Sequence, residues 1–119
     1  MLFRSAGFVI AGSGSKPVLV RGLGPALLQY NVSQPLPDPW LRVFDGGSRQ
    51  IVSNDDWGGA PTLSTAFAAV GLAPLSGSSK DAALFSAFPT GGYTVHVGPA
   101  EGSAVSDGNI ALQIGRAHV

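Results

Sequence analysis

The stretch from Trp40 to Trp57, WLRVFDGGSRQIVSNDDW, places two strand-like runs on either side of an Asp45-Gly46-Gly47 turn and closes on an acidic cluster. It commits the chain to antiparallel β pairing. Leu41, Val43 and Ile51 supply an inward apolar face, and Gly46 and Gly47 can take the positive φ values a tight hairpin requires.

The same grammar continues on both sides. Residues 7–11 and 17–21 are β-rich runs separated by Gly12-Ser13-Gly14-Ser15, and they read as an opening hairpin with Pro17 at a strand start. Gly22 to Pro25 ends the second run, residues 26–28 add one helical turn, and a proline-punctuated loop leads to the hairpin. Leu63, Phe67 and Val70 share one face at i, i+4, i+7 spacing, which predicts a short amphipathic helix over 62–70 stopped by Gly71. Residues 81–88 and 93–97 then flank Pro89-Thr90-Gly91-Gly92 as a second hairpin. Its second strand turns Tyr93, Val95 and Val97 inward and His96 outward. A last run, 109–113, follows a polar loop over 99–108 and closes the sheet. Together these predict an all-β antiparallel sandwich of jelly-roll type, with about seven or eight strands and one short helix over an end.

Composition limits the function. Charged residues make up 12% of the 119 residues and the formal net charge is zero, so no basic field exists to gather phosphates, and nucleic acid is not an expected partner. Seventeen glycines and nine prolines lie between apolar runs instead of forming a low-complexity tract, which marks a folded, turn-rich chain. The absence of cysteine removes disulfides, thiol catalysis and thiolate metal sites. Residues 6–11 are far too short to span a bilayer, which takes about 20 apolar residues, so no membrane insertion is expected. Arg4 and the run after it imitate a signal peptide faintly and read better as a strand.

Both ends carry the mark of a sequencing adapter. Leu2-Phe3-Arg4-Ser5 can be written CTC TTC CGA TCT, and Ile114-Gly115-Arg116 can be written ATC GGA AGA, which lies in its reverse complement. Continuing that adapter with GCA CAC GTC gives Ala117-His118-Val119. The expected division is therefore a tag over 1–5, a β-sandwich module over 6–113 truncated at both ends, and a second tag over 114–119, with tag residues given no functional weight.

Three phrases carry a family likeness: GFVIAGSGSKPVLVRGLGP, DPWLRVFDGGSRQIVSNDDWGG and KDAALFSAFPTGGYTVHV. Over 6–113 they resemble a repeat-like β-sandwich domain of large secreted bacterial surface proteins, and over about 38–97 the chain is similar to the bacterial pre-peptidase C-terminal domain. The resemblance implies a non-catalytic accessory module, extracellular or on the cell surface, whose partners are neighbouring domains of the same polypeptide.

Two groups of residues could still carry chemistry. Asp45, Asn54, Asp55 and Asp56, with Asp81 as a further donor, offer the all-oxygen set that Ca²⁺ prefers, so a weak structural calcium site is one expectation and no other cofactor is. Asx side chains capping their own turns are the plainer account of the same residues. Trp40 and Trp57 flank the hairpin and could form a platform on which a sugar ring stacks, making a carbohydrate-binding module with a polysaccharide partner the alternative function. Plugging the ends of a sandwich is the plainer account of these. A third reading is an accessory fragment of a secreted hydrolase. Arg21 is expected to face solvent, at most near Asp56 or Asp81. The Tyr93 hydroxyl is expected to bond nearby backbone as in a tyrosine corner. His96, the one histidine outside the tags, is expected on the surface, with no second imidazole to make a zinc pair. No G-x-S-x-G elbow, Walker spacing or opposed carboxylate pair is present, which predicts no enzyme activity.

Overall fold

Alternation produces two antiparallel sheets that face each other across an apolar core. The computed structural model describes residues 4–99 and 108–116; the outer adapter-like residues 1–3 and 117–119 and most of the expected 99–108 loop lie outside the described residues. The strands are β1 (Arg4–Ile10), β2 (Lys16–Leu23), β3 (Pro39–Phe44), β4 (Gln50–Asn54), β5 (Ala82–Phe88), β6 (Gly91–Pro99) and β7 (Ala111–Arg116). One sheet has the order β1-β6-β3-β4 and the other β5-β2-β7. Arg4, Ser5 and Ile114 to Arg116, read above as tag residues, continue the ladders of β1 and β7 through their backbones.

Leu41, Val43, Tyr93, Val95 and Val97 from the four-stranded sheet meet Val18, Val20, Leu84 and Phe88 from the three-stranded one. Phe8, Phe88 and Tyr93 pack ring against ring at 5.1 to 5.3 Å between centroids, closing one end of this core. The Tyr93 hydroxyl donates to the Pro89 carbonyl at 2.6 Å, the local bond expected of it.

The three-stranded sheet is covered on its outer face as well. Helix α1 (Pro61–Ala69) and the 3-10 helix Pro25–Tyr30 lie over it, and Leu19, Leu23, Leu27, Phe67 and Ala83 form a second core beneath them. Being buried on both sides explains why β2 reads as an unbroken apolar run, Val18-Leu19-Val20, where β3 alternates. The four-stranded sheet keeps a solvent-facing side.

Two expected hairpins are not hairpins. β1 pairs with β6 while β2 pairs with β5 and β7, so the Gly12–Ser15 loop carries the chain from one sheet to the other. The 89–92 turn does the same between β5 and β6. Glycine-rich turns look alike whether the next strand pairs with the last or crosses the core, and the sequence pattern does not separate the cases. Only β3 and β4 pair directly, and there the ladder slips by one residue between Val43 and Phe44. Val52 therefore turns inward, and Ile51, expected inside, is 44% exposed. The turn itself uses Ser48, not Gly46 or Gly47, as its left-handed residue, with φ 62°, and Ser48 N–H donates to the Asp45 carbonyl at 3.0 Å.

The strand ends define two poles. Ile10, Lys16, Phe88 and Gly91 lie at one; Arg4, Leu23, Ala82 and Pro99 lie at the other, together with Pro39 and Asn54. The second pole is plugged by fully buried Leu36, whose N–H donates to the Asn109 carbonyl. A Cβ on Gly24 would overlap the Leu36 carbonyl, and one on Gly108 would overlap the Leu36 backbone nitrogen, so this closure tolerates only glycine at both positions.

Candidate functional site

Antiparallel pairing returns the chain to the plugged pole, and there it assembles an acidic corner. Leu41 lies opposite Asn54, so the residue before β3 and those after β4 arrive together. Asp38, Asp55 and Asp56 each place a carboxylate oxygen within 4.8 Å of the others. Lys80 Nζ lies 4.0 Å from Asp56 Oδ2 and offsets part of the charge. Asp38 is half-buried, and its Oδ1 is enclosed with no hydrogen-bond partner among the described residues. Burial, then a hydrogen bond with Asp55, then the charges of Asp55 and Asp56 push the Asp38 carboxyl up from 3.8 to about 6, with Lys80 opposing. Chemically, the corner can share a proton between two carboxyl groups or present three oxygens to a divalent cation. Calcium takes about six to eight oxygens, so the corner supplies part of a shell.

The four residues expected to ligate calcium do not converge. Asp55 and Asp56 belong to the corner. Asp45 sits at the far end of the hairpin, beyond a five-residue strand spanning about 16 Å. Its Oδ1 accepts from the Gly47 and Arg49 N–H groups at 2.9 and 3.0 Å. Those bonds, that of Arg49 foremost, lower its pKa. Asn54 is a tie between sheets: its Oδ1 accepts from Ala83 N–H on the edge of β5 at 3.0 Å, and its Nδ2 donates to the Asp56 carbonyl at 3.1 Å. Asp38 is the residue the sequence reading passed over. The signal was available in the hairpin's own arithmetic, since residues equidistant from the turn meet at the strand ends.

The two tryptophans are separated by the thickness of the module. Trp57 is 4% exposed, packs on Phe67 at 5.2 Å, and donates from Nε1 to the Ser76 carbonyl at 2.9 Å and to Ser79 Oγ at 3.2 Å. It anchors the 76–79 turn and presents no stacking face. Trp40 is half-buried on the wet face of the four-stranded sheet, with the Arg42 guanidinium 4.0 Å above its ring. His96 lies on that same face, its ring 4.7 Å from that of Phe44. A joint Trp40–Trp57 platform is therefore not formed.

Arg21 differs most from expectation. It is 0% exposed, under α1, because the outer face of β2 is an interior surface. Its Nε and Nη2 fork onto Gln113 Oε1 at 2.9 and 2.6 Å, Nη1 donates to the Ala73 carbonyl at 2.6 Å, and the Phe67 ring lies 4.8 Å away. Burial lowers its pKa, with Tyr30 and Asp81 opposing. Asp81 is equally buried and accepts through Oδ1 from Gly24 N–H at 2.7 Å and Ala26 N–H at 3.1 Å, fixing the start of the 3-10 helix.

No family model matches the chain, and no curated protein matches it significantly.

Proposed function

We propose that this chain is a non-catalytic accessory module of a larger secreted or surface bacterial protein, one that spaces or attaches neighbouring domains. The direction of its first and last strands carries the reading. Residues 4–6 of β1 lie beside 110–112, and residues 8–10 lie beside Ile114 and Arg116, so β1 and β7 run the same way across the module. A polypeptide continuing past them would enter at one pole and leave at the other. Tension along that line loads β1 against β6 and β7 against β2 in shear, where many ladder bonds resist together. The polar ties add to this reading: Asn54 joins the two sheets, Trp57 pins a loop, and Arg21 joins β2 to β7 and to the loop at Ala73.

Force spectroscopy on the chain placed between reference domains tests the proposal. One discrete unfolding event is expected, with a contour-length gain of about 350 Å, the reach of roughly 110 extended residues less the 42 Å long axis. A featureless extension trace, or turnover of a polysaccharide or peptide by the purified chain, would overturn it.

One observation favours carbohydrate binding as a second reading. Trp40, Phe44 and His96 share the wet face of the four-stranded sheet. Stacking there depends on Trp40 alone and has to displace Arg42 from its ring. Tryptophan emission that shifts with a polysaccharide in the parent chain and not in Trp40→Ala would support it.

A further inference from the structure

The two open sides of the sandwich are unequal. On one side β4 and β5 meet: β4 has five residues and a slipped ladder, and Asn54 Oδ1 caps the Ala83 N–H on the β5 edge. On the other side lie β1 and β7, each paired along one edge only among the described residues, β1 with β6 and β7 with β2. Edge strands are kept from pairing with other chains by shortness, bulges, prolines or charges. β1 has seven residues in unbroken register with β6, no proline, and no charge beyond Arg4. Val9 stands 73% exposed on it, the most exposed large apolar side chain among the described residues. β7 lies beneath the same border, and clefts of about 670 and 100 Å³ open between the two strands toward either pole.

What fits this edge follows from its own sequence. Ala6-Gly7-Phe8-Val9-Ile10 is complementary to itself when a second copy is laid antiparallel to it about Phe8. Each large side chain then meets a small one. Val9 lies beside Gly7 of the second copy on the wet face, Ile10 beside Ala6 on the core side, and Phe8 beside Phe8 on the axis. The two-fold axis stands perpendicular to the sheet, so the three-stranded sheets of the two copies also approach edge to edge, and the contact is two layers deep instead of a lone ladder. An unrelated strand would find main-chain donors and acceptors here and nothing that selects it.

We infer that the β1 edge is a homophilic docking surface, at which two copies of this chain join antiparallel about Phe8 and continue the four-stranded sheet across both. A module that only spaces domains needs no copy beside it, so this surface and the spacer reading stand or fall separately. Sedimentation velocity of the intact chain from about 5 to about 500 µM, at low and constant ionic strength, tests it, and a monomer–dimer equilibrium is expected. Two double variants then test the register, in which residue 7 of one copy lies opposite residue 9 of the other. Gly7→Lys/Val9→Lys sets like charges face to face and should weaken the dimer at least tenfold; Gly7→Glu/Val9→Lys sets unlike charges there and should restore it. Within the chain these positions lie opposite uncharged Thr94 and Gly92, both are exposed, and a Cβ on Gly7 meets the Tyr93 carbonyl at an ordinary 3.4 Å. Melting temperatures at the lowest concentration should therefore stay near the parent's. Val9→Lys alone is the fallback should a double variant fail to fold, and it too should weaken the dimer at least tenfold. A monomer at every concentration, assembly beyond the dimer, equal dissociation constants for the two double variants, or an unweakened Val9→Lys dimer would overturn the inference.

Discussion

Asp38 should make this module less stable as the solution becomes less acidic, the reverse of ordinary acid denaturation. Its folded pKa of about 6 lies above the ordinary 3.8, so the folded state holds the proton more tightly than the unfolded chain does. Stabilisation from that proton is complete below about pH 4 and is lost as pH rises through about 6. A shift of about two units has a ceiling near 3 kcal/mol, and solvent screening of a half-buried group reduces the expected effect to about 1 kcal/mol. Urea denaturation at pH 4.5 and 7.5, on the parent and Asp38→Asn, reads this directly. With a slope of about 1 kcal/mol per molar, the midpoint difference between the two proteins should change by about 1 M across that interval, with the variant gaining at the higher pH. Asp45, whose pKa is lowered, has its window below 3.8, where its stabilisation is lost as pH falls, so it does not confound the comparison. Millimolar calcium at pH 7.5 should recover the parent's deficit and leave the variant unchanged, since a cation on the three carboxylates relieves the same repulsion. A midpoint difference independent of pH would refute the assignment of a shared proton to this corner.

Other substitutions check the remaining ties. Asn54→Ala strands the Ala83 N–H on the edge of β5 and should destabilise by about 1–2 kcal/mol, with faster hydrogen exchange at Ala83. Tyr93→Phe removes the bond to the Pro89 carbonyl and should cost about 1 kcal/mol in chemical denaturation. Ser48→Gly relieves a left-handed non-glycine residue in the β3–β4 turn and should raise stability by about 0.5–1 kcal/mol, seen as a higher melting temperature. Iodide should quench Trp40 and spare Trp57, so Trp40→Phe should lose most of the quenchable emission.

Alternation made the β-sandwich legible, and it worked best where one strand face meets water. Leu41 and Val43 on β3, and Tyr93, Val95 and Val97 on β6, point inward as their period of two requires, and the Phe67 stripe gave the helix. The rule fails for β2, because a strand covered on both faces has no polar side: alternation predicts a solvent-facing Arg21, and the helices over that face bury it. Pairing partners were also hidden, since the loops after Ile10 and Phe88 look like hairpin turns and are crossings between sheets. In the acidic corner, Asp55 and Asp56 were legible from composition alone. Asp38 requires the hairpin register to find, and Asp45 looks like a fellow ligand because distance along a strand is invisible in a list of acidic residues.

The burial of β2 on both faces has a cost during synthesis. Val20 pairs with Leu84 on one side and Ile114 on the other, partners that leave the ribosome long after it does. Until they arrive, the stretch Val18-Leu19-Val20 is a sticky ribbon without neighbours, the kind of segment that nucleates aggregates. Nascent-chain proteolysis should find this strand accessible until β7 has emerged, and chaperone occupancy should fall only when β7 docks.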